Sequence, residues 1–339
     1  MHDAPLPPGK LPAALLARLL AQNAPTDPRV LIGPRVGVDA AVIDMGDRLL
    51  IAKSDPITFA TEAIGYYAVM VNANDIAVMG GTPRWFLATL LLPETQTTTT
   101  LVEAMFTQIR ETCASLQIAL VGGHTEITVG LDRPIVAGHM LGEVARDRLI
   151  TSAGMRAGDA ILLTKGFPIE GIAIIARERA AQLRVAGHTA SAIARWQQFL
   201  YTPGISVLPE ARILTHAVDV HAMHDPTEGG LATGIRELAQ ASGVGVRLHA
   251  EQLPLLPEGR VLCEAFDLDP LGTIASGALL AAVPAAQVEA AIRACAAAGI
   301  ACYHVGTAVA SATECVLHTT TTSRPLPTFA RDEIVGLFT

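Results

Sequence analysis

The stretch from Lys53 to Gly81, KSDPITFATEAIGYYAVMVNANDIAVMGG, constrains this chain more than any other, because it places polar and charged groups inside what otherwise reads as core. The apolar run before it, Leu49 to Ala52, reads as a strand that delivers Asp55 at its carboxyl end. From about Thr61 the pattern turns helical, with Ile64, Tyr67, Ala68 and Val71 recurring at three- and four-residue steps, so that one face is buried. Asn72, Asn74 and Asp75 sit within that apolar helix. A carboxylate in such a setting costs several kcal/mol, roughly, unless a cation or strong donors meet it. A strand followed by a returning helix can bring Asp55 and Asp75 together. Taken as a pair with no lysine between them, they point to a divalent cation, and oxygen donors favour magnesium or manganese over zinc.

The chain has 339 residues, a length that suggests about two domains. Half of it is apolar but only 4% is aromatic, so the core must be built from Ala, Val, Leu and Ile, which suits sheets covered by helices. No apolar run reaches the roughly 18 residues of a membrane span. The nearest approach, Ala291 to Val305, contains Arg293, Gly299 and His304. The Pro-rich N-terminus lacks a basic-then-apolar signal pattern. The five cysteines, Cys113, Cys263, Cys295, Cys302 and Cys315, form no CxxC pair and read as reduced small hydrophobes of a cytoplasmic protein. A net charge of −8 argues against a nucleic-acid or anionic-membrane surface. It leaves a nucleotide open, because a cation and backbone amides can carry phosphate charge locally.

Along the chain, Gly9-Lys10 precedes a short amphipathic helix from Leu11, and Lys10 is either a phosphate contact or a solvated tail lysine. Gly33 to Ala41, GPRVGVDAA, is a glycine-bearing loop running into a strand; Gly37 lets the backbone approach an anion, and Asp39 either serves that site or caps a turn. After Gly80-Gly81, Arg84 to Leu92 reads as a buried strand, and TQTTTT opens a helix. Ile118 to Val121 is a strand expected to end in the turn Gly122-Gly123-His124-Thr125-Glu126, a place for a ligand. Pro134 to Val144 is a further strand, expected to pair with another subunit or sheet. The domain boundary is placed near Thr151 to Asp159, giving domains 1–152 and 153–339. In the second domain, HAMHDPTEGGL, His221 to Leu231, holds another dense polar cluster. His124 reads as a phosphate-orienting group, a base or a hydrogen-bonded core histidine.

Taken in order, GPRVGVDAAV, KSDPIT, VNANDIAVMGGTP, GGHTEIT and HDPTEGGL resemble the aminoimidazole ribonucleotide (AIR) synthetase superfamily, which includes selenophosphate synthetase, thiamine-monophosphate kinase and HypE. The resemblance covers nearly the whole chain. It implies a two-domain α/β fold in which the N-terminal sheet joins a partner's to make a homodimer barrel, with ATP bound between that domain and a C-terminal α/β domain. It implies magnesium held by Asp39, Asp55, Asp75 and Asp225, with Asn74, Gly229 and Gly230 near phosphate, joined by Lys10, Gly37, Gly122, Gly123 and Thr125 at the nucleotide. His124 stands where several members carry a carboxylate, so either Glu126 takes over as an oxygen ligand or the metal count is lower; His124 and Glu126 are the candidate catalytic groups. The body resembles HypE-like proteins, but the chain ends DEIVGLFT, without their terminal carrier cysteine. The activity implied is ATP-dependent phosphoryl transfer or dehydration on a small oxygen acceptor. The alternatives are a non-catalytic ATP-binding scaffold, or a hydrogenase-maturation partner that borrows its thiol from another protein.

Overall fold

The computed structural model describes residues 6, 11–22, 25–35, 38–58 and 62–338. Lys10 and Gly37 therefore lie outside the described residues. The chain divides into two compact units with the break at Leu149/Ile150. The N-terminal unit takes Pro25–Gly33 and Asp39–Leu149, and the C-terminal unit takes the chain from Ile150 together with helix α1 (Ala13–Leu20).

The N-terminal unit contains strands β1 (Val30–Ile32), β2 (Ala41–Asp44) and β3 (Leu49–Ile57), helix α2 (Ile64–Val78), strand β4 (Thr82–Pro93), helix α3 (Thr99–Ser115) and strands β5 (Ala119–Thr128) and β6 (Ile135–Val144). They form one sheet in the order β1-β2-β3-β6-β4-β5. Every pair is antiparallel except β4–β5, whose parallel pairing requires the α3 crossover between them. The Thr98 hydroxyl caps α3 by accepting from the Leu101 amide at 3.2 Å, as the threonine run led one to expect.

Two sequence expectations change here. Strand β6 does not seek a partner outside its sheet: it lies between β3 and β4, and its alternating burial reflects one face packed on α2. The segment Gly122 to Glu126 is not a turn: it continues β5, which runs on to Thr128 as the sheet's edge strand. The glycine pair misled because it looks like a loop, whereas glycines are tolerated on a strand paired along only one side.

Helix α2 is buried on nearly every side. It can lie this close because β6 offers glycines beneath it: a Cβ on Gly138 would stand 2.4 Å from Asn72 Nδ2, and one on Gly142 would stand 2.2 Å from Ile76 Cγ2. The fully buried Ile76, Val69 and Tyr67 each stabilise this packing by about 1.5–3 kcal/mol. Tight seating of α2 brings its polar residues down onto β3.

The C-terminal unit runs β7 (Asp159–Thr164), α4 (Ile169–Glu178), α5 (Ala180–Val185), α6 (Ala190–Gln197), α7 (Leu208–Ala217), β8 (Ala222–His224), α8 (Gly230–Ser242), β9 (Gly245–His249), α9 (Pro257–Ala265), β10 (Leu280–Pro284), α10 (Val288–Ala297), β11 (Cys302–Val309), β12 (Cys315–His318) and β13 (Ser323–Pro325). Its mixed sheet has the order β13-β12-β9-β11-β7-β10-β8. Ile161, Leu163, Leu248 and Leu280 from the sheet close one core with Leu231, Ile235 and Leu238 of α8. The two-sheet α/β architecture expected from the sequence is the one observed. Among the described residues no helix is long and apolar enough to cross a membrane. The five cysteines are free thiols, and burial pushes Cys113 and Cys263 up to about 11, which keeps both unreactive.

Candidate functional site

Successive strand residues alternate between faces, so Lys53 and Asp55 on β3 share one face, the face covered by α2. The Asn72 side chain donates to the Asp55 carbonyl at 3.1 Å and to the Ala68 carbonyl at 2.8 Å, tying α2 to the β3 backbone at the residue of interest. One turn on, Asp75 reaches the same place. Asp55 and Asp75 do converge, but they converge on a lysine. Lys53 Nζ stands 3.1 Å from Asp75 Oδ2 and 3.4 Å from Asp55 Oδ2. The absence of a lysine between them, assumed from the sequence, is therefore corrected. The Lys53 and Asp75 side chains are largely buried, at 18% and 7% exposed, while Asp55 is 34% exposed. Burial alone pulls the Lys53 ammonium down, but the fields of Asp75, Asp55 and Asp39 outweigh it and hold it above the ordinary lysine range. Asp39, half-buried just ahead of β2, thus belongs to the same cluster. Asn74 is fully buried in α2.

The candidate catalytic pair lies elsewhere. His124 and Glu126 are two residues apart on β5, with the imidazole Nε2 3.0 Å from Glu126 Oε2, and both are exposed. In the sheet, His124 is aligned through Thr89 and Ala137 with Pro56, so it points to the face opposite α2. Strands β4 and β6 separate β5 from β3, which sets the two sites about 14 Å apart along the sheet. Gly122, Gly123 and Thr125 share that exposed edge strand. Within the N-terminal unit, none of these five residues joins Asp55.

In the C-terminal unit, Asp225 is buried directly after β8. Gly229 and Gly230 begin α8 with positive φ, as a sharp entry requires. Their amides already have internal acceptors: Gly229 donates to Asp332 Oδ2 at 2.6 Å and Gly230 to the Thr227 carbonyl at 3.0 Å. Around them stands a group of carboxylates that the sequence reading missed. Glu170, on the first turn of α4, is pushed up to about 8 by burial, with Glu228, Asp332 and Asp225 adding repulsion against a stabilising Ser276. Asp332 is pushed up to about 6 by burial, in spite of donors from the Ile334, Gly229 and Ile274 amides. Other conspicuous cations and histidines have partners within their own unit. Lys165 Nζ is 2.8 Å from Glu210 and also donates to the Gly204 and Ser206 carbonyls. Arg236 holds the Leu326 and Pro327 carbonyls. His221 pairs with Asp159 and His224 with Glu237.

A divalent ion bridging Asp55 and Asp75 does not fit this arrangement. Magnesium is ligated at about 2.0–2.1 Å in a near-octahedral shell, and an ammonium already stands against both carboxylates on that line.

Residues 37–144 match the AIR synthase related protein, N-terminal domain, and residues 156–317 match the AIR synthase related protein, C-terminal domain. The carbamoyl dehydratase HypE of Cupriavidus necator is 31% identical over 267 residues, spanning 76% of this chain and 72% of that protein. The selenide, water dikinase of Paraburkholderia xenovorans is 32% identical over 263 residues, spanning 76% of this chain and 70% of that protein. Among solved structures, the hydrogenase maturation protein HypE in complex with ATP superposes with a TM-score of 0.71 at 22% identity, covering 91% of each chain. At that identity the likeness bears on the fold.

Proposed function

Because the chain belongs to the AIR synthase related family, we propose that it is an ATP-dependent enzyme that phosphorylates or dehydrates a small oxygen acceptor. The observation that carries this reading is the convergence of Asp39, Asp55 and Asp75 around Lys53, seated by Asn72 at the meeting of β3 and α2. Phosphoryl transfer asks a protein mainly to position the triphosphate and to stabilise charge spread over its oxygens. A fixed, partly water-excluded set of charges on two rigid elements suits that task. The role of Asn72 is to hold the Asp55 backbone in place. Lys53 supplies positive charge and Asp75 keeps its ammonium oriented. Magnesium, if it arrives with the nucleotide, would supply further charge neutralisation there. The relative named carbamoyl dehydratase makes a carbamoyl oxygen the first acceptor to test. Phosphorylating such an oxygen turns a poor leaving group into a good one.

The test is magnesium-dependent ADP release from ATP, alone and with a panel of carbamoyl, amide and hydroxyl acceptors. Acceleration by one class supports the reading. Tight ATP binding with no turnover across the panel replaces it with a nucleotide-binding scaffold.

The protein acts as a homodimer in this reading. Strand β5 is an open edge, and Val121 and Ile127 on it are 53% and 61% exposed. An apolar edge of this kind invites a second copy. Val121→Lys combined with Ile127→Lys is expected to convert dimer to monomer in light scattering after size-exclusion chromatography. An unchanged mass would remove β5 from the interface.

A further inference from the structure

The N-terminal carboxylates hold a cation of their own. Lys53 and Asp55 project from the same face of β3, and α2, seated against the sheet by Gly138 and Gly142, presses Asp75 onto the same ammonium. The contacts of 3.1 and 3.4 Å set Nζ against an oxygen of each carboxylate, so it competes with any ion that would bridge them. A lysine ammonium is a compact point charge with three donors, so it can satisfy two carboxylates at once. It is also covalently anchored two residues from Asp55, so it does not exchange with solvent as an ion does. A divalent ion entering between Asp55 and Asp75 must first expel this group from a largely buried position.

We propose that Lys53 is a built-in counter-cation that takes the place of one divalent ion between Asp55 and Asp75. The proposal rests on the ATP-dependent reading for its purpose, but its test does not use ATP. Lys53 is in this sense a specificity-determining residue for metal count.

The experiment is Mn2+ binding to the full chain without nucleotide, followed by electron paramagnetic resonance and calorimetry, for the natural protein and for Lys53→Met. The variant is expected to bind one more Mn2+ per chain, at least about tenfold tighter than any ion bound by the natural protein. Its melting temperature is expected to fall in chelator and to recover in Mg2+, whereas that of the natural protein stays unmoved by Mg2+. Equal ion counts in the two folded proteins overturn the proposal. If Lys53→Met does not fold in chelator, it is refolded with and without Mn2+. Recovery only with the ion supports the proposal. Failure in both conditions, while Lys53→Arg folds normally, overturns it. Failure of ATP turnover would leave these outcomes untouched, so the two readings fail separately.

Discussion

The two units bury carboxylates in opposite ways. In the N-terminal unit, Asp55 and Asp75 share the Lys53 ammonium. In the C-terminal unit, burial pushes Glu170 up to about 8, with Glu228, Asp332 and Asp225 adding to the rise and no basic group among the described residues offsetting it. One group of acids is answered by a cation, the other by a proton. The difference teaches what each group is ready to do. Carboxylates organised around a covalently anchored ammonium are held in a fixed arrangement, suited to positioning. Carboxylates that share protons respond to pH, and a nearby positive charge would draw the proton off.

The sharpest way to break this contrast is to remove the cation. Lys53→Met leaves Asp75, and in part Asp55, without a counter-charge. Deleting one partner of a buried pair costs about 3–5 kcal/mol, and because Asp55 is 34% exposed the lower end applies. Chemical denaturation in chelator measures the loss, and adding Asp75→Asn to Lys53→Met is expected to restore most of it. A loss below about 1 kcal/mol would mean that the ammonium is incidental and that the units do not differ as described.

The complementary change removes the proton. The folded Glu170 side chain holds its proton more tightly than the unfolded one, about 8 against 4.5. The natural protein is therefore favoured below pH 4.5 and loses that advantage as pH rises towards 8. Glu170→Gln cannot ionise, so its stability relative to the natural protein is expected to rise over that interval, by several kcal/mol on the order-of-magnitude scale of such a shift. Melting temperatures of both proteins from pH 5 to 8.5 test this. A flat difference would show that Glu170 is solvated or paired with a cation after all.

Much of this was legible in the sequence, and the misses have physical causes. The convergence of Asp55 and Asp75 followed from a strand leading into a buried helix. The role of Lys53 was equally readable, since residues two apart on a strand share a face. The apolar run Leu49 to Ala52 stops short of Lys53, so apolarity alone leaves it outside the alternation, whereas β3 runs to Ile57. Gly122-Gly123 read as a turn because the stretch lacks apolar alternation, and an edge strand exposed on both faces has none to show. Asp332 could not be found: it reaches the α8 entry from 103 residues away through backbone amides, and amides leave no mark in a sequence.

For function, the cluster around Lys53 is expected to matter directly. Asp55→Asn keeps the shape and the backbone carbonyl to which Asn72 donates, so the fold should survive. ATP-dependent turnover is expected to drop by about a hundredfold, comparable to losing one preorganised electrostatic contact. Glu170→Gln in the same assay at neutral pH is expected to leave the rate within a few-fold, because the natural group is already neutral there. Equal losses in the two variants would erase the functional side of the contrast.

The smallest expected effect lies between the two solutions. Asp332 has neither a lysine nor full protonation; it has the amides of Gly229 at 2.6 Å, Ile334 at 2.9 Å and Ile274 at 3.3 Å, yet burial still lifts it to about 6. Its folded value is above the ordinary 3.8, so the sign is that of Glu170: stability from this group is present below pH 3.8 and is lost as pH rises through 6. Asp332→Asn keeps one acceptor oxygen and turns the other into a donor facing amides, a loss of about 1 kcal/mol. That cost is expected to be largest below pH 3.8 and to shrink as pH rises through 6, where the natural carboxylate ionises with only the three amides to answer it. A cost that instead grows with pH would mean that the three amides stabilise the carboxylate as fully as a cation does, and Asp332 would then belong with Asp55 and Asp75 rather than with Glu170.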